Sequence, residues 1–195
     1  MPAAVTPRLK PGKVYRTRDF ARWSANPTRF AKRLVRQGKL EQLAHGLFAR
    51  PRSSSFGPVP PDDASLMRGF LGSSHFLFSG PPYWNILGLG STAMFAASLV
   101  YNEKRSGRFV LNRRTYLLRR VRFPAKPRPE WYAIDLMENA DAAGVSLSIL
   151  RQKLASAIRQ RRLDPQLLAR YAREYGAMRT QAIVESAVVQ ARETV

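Results

Sequence analysis

Apolar and polar positions separate most cleanly over residues 26–38 (NPTRFAKRLVRQG). At helical periodicity Phe30, Ala31, Leu34 and Val35 share one face, while Arg29, Lys32, Arg33 and Arg36 fall within about 100° of arc on the other. The spacing predicts a helix from 27 to about 37, with Asn26 as N-cap, Pro27 at the first helical position and Gly38 as the stop. Such a helix docks through its apolar back and offers its cations outward.

Its neighbours extend the pattern. Val14-Tyr15-Arg16 reads as a short strand. Thr17 reads as the N-cap of a short helix reaching about Ser24, with Phe20 and Trp23 spaced to face the core. Residues 40–44 (LEQLA) and 47–50 (LFAR) flank His45-Gly46 and read as a β-hairpin. Residues 51–61 (PRSSSFGPVPP) read as a linker. Beyond it, Asp62 or Asp63 caps a helix to about Leu71, 76–78 (FLF) is a buried strand, 79–82 a turn, and 83–89 a helix ended by Gly88 or Gly90. Strands follow over 95–101 and 109–111 around a basic turn, and over 115–123. The remainder is helical: 130–138, then a helix opened by Ser146 or Ser148 with a Leu147, Leu150, Leu154, Ile158 stripe. Asp164-Pro165 opens a helix ending near Gly176, and a last one runs from Thr180 to about Arg192.

The expected fold class is therefore α+β: an N-terminal winged helix-turn-helix, then a mixed α/β domain ending in a helical C-terminal part. The expected divisions are a flexible basic arm over 1–13, the DNA-binding domain over 14–52, a linker over 53–62, and the larger domain over 63–195.

Charge sharpens this picture. Across 195 residues, 33 Lys and Arg face 13 Asp and Glu, a net +20. Residues 1–52 carry 13 basic and 2 acidic groups, and 101–130 carry 10 and 2. An excess of this size calls for a polyanionic partner, and nucleic acid fits it best. Residues 69–102 contain no charged side chain, but Asn85, Gly88, Gly90, Ser91 and Thr92 interrupt them, so a buried segment is expected rather than a membrane span. The N-terminal residues lack the apolar run of a signal peptide, and a cytoplasmic location is the expectation.

The basic helix would lie along the DNA major groove. Thr28 and Arg29 are the candidates for base contacts, with Lys32 and Arg33 beside them and Arg36 and Lys39 on phosphates. Arg16, Arg18 and Arg22 would grip the flanking backbone, and His45, Arg50 and Arg52 would extend the contact along the hairpin. Lys104, Arg105, Arg108, Arg113, Arg114, Arg119, Arg120 and Arg122 form a second candidate surface, for more DNA, an acidic protein or RNA. The alternative is a basic RNA-binding or ribosome-associated protein, which exposed stacking aromatics on a sheet would favour.

Two segments carry a family resemblance. His45-Gly46-Leu47-Phe48-Ala49-Arg50 closes the hairpin, and Ser79-Gly80-Pro81-Pro82-Tyr83-Trp84-Asn85-Ile86-Leu87-Gly88-Leu89 follows about thirty residues on. Both are similar to segments of AbiEi-type antitoxins, and Leu163-Asp164 with Tyr175-Gly176 looks like the helical end of that group. Tyr83-Trp84 and Gly90 depart from the family's usual residues. The resemblance implies an antitoxin of an abortive-infection toxin–antitoxin system. Its winged helix-turn-helix would repress its own operon, and its C-terminal domain would counter a nucleotidyltransferase-type toxin. The partners implied are double-stranded operator DNA and the cognate toxin or the toxin's RNA target.

No catalytic constellation is legible. There is no cysteine, there are two histidines, and no acidic pair follows Gly72-Ser73 or Gly90-Ser91 as a nucleotidyltransferase site requires. Asp135 and Glu138 read as caps and charge balance, and His75 as a hydrogen-bonded core residue. The chain is expected to be no enzyme and to need no metal or cofactor.

Overall fold

The structure is a computed structural model in which residues 8–89 and 97–193 are described. The fold is mixed α and β and divides into two compact units: residues 1–76 with 108–116, and 77–107 with 117–195.

In the first unit, β1 (Val14–Arg16), β2 (Glu41–Ala44) and β3 (Leu47–Ala49) form an antiparallel sheet in the order β1-β3-β2. Tyr15 lies opposite Phe48, and Gln42 pairs with Phe48 from the other edge. Gly46 makes the β2–β3 turn at a φ of 68°, where a side chain would be strained. Helix α1 (Pro27–Arg36) packs Phe30, Ala31 and Leu34 into a core with Leu9, Tyr15, Phe20, Leu40 and Phe48.

Residues 17–24 differ from expectation. Thr17–Phe20 form a 3-10 turn whose N-cap is Arg16, not an α-helix capped by Thr17. Asp19 reaches back to accept the Arg16 N–H, and Ala21 and Trp23 donate to carbonyls three residues earlier, which tightens the segment. The turn still buries Phe20 completely.

The segment expected to be a linker also has structure. β4 (Arg52–Ser54) and β5 (Gly57–Val59) pair as a small antiparallel hairpin, with Ser54 Oγ donating to the Gly57 carbonyl at 2.8 Å. Helix α2 (Asp63–Leu71) follows, capped by Asp62, which accepts the Ser65 N–H at 2.7 Å. The first unit therefore runs past residue 52, because α2 packs on β1. Of the expected flexible arm, residues 1–7 lie outside the described residues, and the rest is tied down. Leu9 is buried, Lys10 N–H donates to the Tyr15 hydroxyl, and Gly12 N–H donates to the Arg50 carbonyl. His75 is exposed rather than in the core, with its N–H on Ser73 Oγ.

Strand β6 (Phe76–Ser79) leads into the second unit and is half-buried for most of its length. Helix α3 (Pro81–Trp84) begins two residues before the expected start and tightens into a 3-10 turn over Asn85–Leu87. Two prolines and Gly80 set that start, and Gly88 ends it at a φ of 64°. The Gly90 alternative and Phe95 lie outside the described residues. β7 (Ala97–Asn102), β8 (Gly107–Leu111) and β9 (Arg114–Arg120) follow. In the second unit the strand order is β6-β7-β9, while β8 pairs with the first residues of β9 in the first unit.

Helices α4 (Pro129–Glu138), α5 (Leu147–Arg159), α6 (Pro165–Tyr175) and α7 (Met178–Glu193) complete the second unit. Ser146 caps α5, and Asp164 caps α6 by accepting from Gln166 and Leu167. Leu150 and Leu154 of the expected stripe are buried, and Leu147 and Ile158 are partly so. Helix α4 is covered on nearly every side, with Trp131, Ile134, Leu136 and Met137 buried. Among the described residues no helix is long and apolar enough to cross a membrane.

Candidate nucleic-acid interface

Helix α1 begins where Asn26 Oδ1 accepts the Arg29 N–H at 3.0 Å, with Pro27 in the first turn. This satisfies one of the donors that a helix N-terminus leaves open. Thr28, Arg29, Lys32, Arg33, Arg36 and Lys39 are all exposed, while Phe30, Ala31 and Leu34 anchor the opposite side. The first turn carries no acidic residue, so the positive end of the helix dipole is uncompensated there.

Asn26, Thr28, Arg29, Lys32, Val35 and Arg36 line an open groove of about 640 Å³ together with Gln42 of β2. Sequence reasoning missed Gln42; Val35, expected on the apolar face, does pack against the core while half-buried at the edge of this groove. The signal for Gln42 is its place beside buried Leu43, since alternate residues of a strand face opposite ways. Arg33 stands outside this lining, with its guanidinium 5.0 Å from the Phe30 ring centre.

The flanking cations have individual fates. Arg16 is half-buried and donates from Nε to the Gly69 carbonyl at 2.7 Å, so it joins β1 to α2. Arg18 is exposed, and Arg22 is exposed with its guanidinium 3.8 Å from the Trp23 ring centre. His45 is exposed at the β2–β3 turn. Arg50 is exposed but donates to the Leu9 carbonyl, and Arg52 is exposed at the start of β4.

The second basic block does not fall in one unit. Arg108, Arg113 and Arg114 belong to the first and Lys104, Arg105, Arg119, Arg120 and Arg122 to the second. Arg114 is engaged by Asp63 at 2.6 Å, and the same carboxylate accepts the Tyr116 hydroxyl. Arg119 is half-buried and donates to Asn139 Oδ1 at 2.7 Å. Lys104, Arg105, Arg108, Arg113, Arg120 and Arg122 are exposed. The turn carrying Lys104 and Arg105 is built on buried Asn102, whose Oδ1 accepts both their N–H groups at 2.8 Å.

Asp135 overturns its reading as a cap and charge balance. It is buried in α4 and accepts from Ser79 Oγ, Trp84 Nε1, the Tyr101 hydroxyl and Asn139 Nδ2. Burial pushes its carboxyl above the usual range, while the Ser79, Tyr101 and Trp84 donors pull it back. Burial and the neighbouring carboxylate likewise push the Tyr101 hydroxyl upward, which keeps it a donor. Glu138 does serve as a cap: its Oε1 accepts from Ala177 N–H and Thr180 Oγ1 at the start of α7. Among the described residues no group of three or more His, Asp or Glu side chains is placed to hold a metal ion.

In comparisons with known proteins, no family model, curated protein or solved structure matches the chain.

Proposed function

We propose that this protein is a sequence-specific regulator of double-stranded DNA, with α1 as its recognition helix and the β2–β3 hairpin as a wing. The observation that carries the reading is the exposed Thr28, Arg29, Lys32 and Arg36 row, fixed by the Asn26 cap and backed by Phe30, Ala31 and Leu34. An α-helix fits the major groove, and its N-terminal residues reach base edges there. Thr28 and Arg29 are the base-reading candidates, with Lys32, Arg36 and Lys39 on phosphates. In this reading the 3-10 turn at Thr17–Phe20 stands in for the first helix of a winged helix-turn-helix and supports α1 through Phe20.

The resemblance of residues 45–50 and 79–89 to AbiEi-type antitoxins extends the proposal to an autoregulating antitoxin. The second unit would then meet the toxin or its RNA target. Purified protein titrated against the DNA upstream of its own gene and a scrambled duplex tests the DNA reading. Preference for the upstream DNA at about 0.15 M salt supports it. Equal binding that collapses with salt refutes it, since counterion release from a basic protein explains that alone. Rescue of growth on co-expression with an adjacent toxin gene tests the antitoxin reading separately.

A further inference from the structure

The first unit holds a second basic cavity that shares no lining residue with the α1 groove. It measures about 530 Å³ and is lined by Lys10, Lys13, Arg16, Arg18, Arg52 and Arg68 from the N-terminal segment, β1, the 3-10 turn, β4 and α2. One carboxylate, Asp19, is among the lining residues and already accepts the Arg16 N–H at 2.8 Å, and Asp62, held on the lining Ser65, is near enough to Arg52 to interact with its charge. Six like charges around one cleft repel one another, and a fold tolerates that most easily when an anion joins them.

Glycine seats two of the arginines. A Cβ on Gly72 would lie 1.7 Å from Arg16 Nη2, and one on Gly12 would lie 2.3 Å from Arg52 Nε. Both glycines also have positive φ, 59° and 73°, so the two guanidinium groups occupy space that a side chain at either position would fill. Arg16 is further oriented by its bond to the Gly69 carbonyl. Guanidinium groups match phosphate oxygens, and Lys10, Lys13 and Arg68 add charge around them, with Lys13 Nζ 5.4 Å from the Tyr15 ring centre.

We infer that this cleft is a binding site for a chain of phosphates, either a free polyphosphate such as a nucleoside triphosphate or the backbone of a nucleic acid. The inference does not depend on α1 binding DNA. Lys10, Lys13 and Arg68, which sequence reasoning gave no role, are its distinctive residues.

The test uses the full chain, calorimetric titration with sodium triphosphate and with ATP, and salt-dependent DNA titrations. The variants are K10A/R68A in the cleft and R29A/R36A on α1, each checked for a wild-type melting curve. Saturable triphosphate or ATP binding that weakens at least tenfold in K10A/R68A but not in R29A/R36A supports the cleft with a free polyphosphate as occupant. Weak triphosphate binding, with the slope of log affinity for DNA against log salt reduced by about 1.8 in K10A/R68A, supports the cleft with a nucleic-acid backbone as occupant. Unchanged triphosphate affinity and unchanged salt slope in K10A/R68A overturn the inference, as does equal weakening by both variants, which is the behaviour of diffuse surface charge. Loss of DNA binding in R29A/R36A alone bears only on the recognition-helix reading.

Discussion

Asn26 Oδ1 accepts the backbone N–H of Arg29 at 3.0 Å, so the residue that starts α1 also fixes the first cation of its exposed face. Helix stability and the proposed DNA recognition would therefore share one bond. Asn26→Ala should cost about 1 kcal/mol in urea unfolding and weaken DNA binding in parallel. Asn26→Asp keeps the acceptor and should restore stability, while its negative charge beside the groove leaves DNA binding reduced.

Phe20 has four aromatic neighbours, Tyr15, Trp23, Phe30 and Phe48, at ring-centre distances of 5.8–6.1 Å. Removing its ring leaves a void where α1 and the sheet meet. Phe20→Ala should destabilise the first unit by about 3–5 kcal/mol, and Phe20→Leu by clearly less. Thermal unfolding followed by Trp23 fluorescence in a background where Trp84 and Trp131 are replaced by Phe measures both; similar small losses would show that the cluster relaxes around the gap.

Gly69 allows α2 to approach β1. A Cβ there would stand 2.3 Å from Val14 Cγ1, on a branched side chain with little room to turn. Gly69→Ala should cost about 1–3 kcal/mol despite the better helix propensity of alanine. The double variant Gly69→Ala/Val14→Ala should recover part of that loss in the same denaturation assay.

Asp62 caps α2, and the Ser65 N–H that it accepts holds its carboxyl below the usual value of 3.8. The folded state thus favours the charged form. This contribution is present above pH 3.8 and is lost as pH falls through the lower folded value. Asp62→Asn still accepts the N–H but no longer titrates, so urea midpoints between pH 2 and 6 should fall less steeply on the acid side than in the wild type. Parallel curves for the two proteins would remove Asp62 from the acid response.

Much of the secondary structure is legible because its causes are local. Asn26-Pro27, Asp62 and Asp164-Pro165 each open a helix by offering an acceptor within three residues, and Gly46, Gly72 and Gly88 mark turns through positive φ. The β4–β5 hairpin escapes such reading because its strands, Arg-Ser-Ser and Gly-Pro-Val, show no alternation, and a Ser54 side chain rather than an apolar face closes the turn. Asp135 escapes it because its donors come from residues 79, 84, 101 and 139, and only Asn139, one helical turn on, is near in sequence. The exposed row of α1 is legible from periodicity, whereas the Lys10–Arg68 cleft depends on α2 folding back onto β1.

In the proposed function α1 reads DNA through Thr28 and Arg29. The most direct measurement is anisotropy titration of wild type and Arg29→Ala with labelled upstream DNA and a scrambled duplex at about 0.15 M salt. Wild type should prefer the upstream duplex, and Arg29→Ala should lose about 1–3 kcal/mol on it while changing little on the scrambled one. Equal affinity of wild type for both duplexes, or an unchanged preference in Arg29→Ala, would contradict this reading.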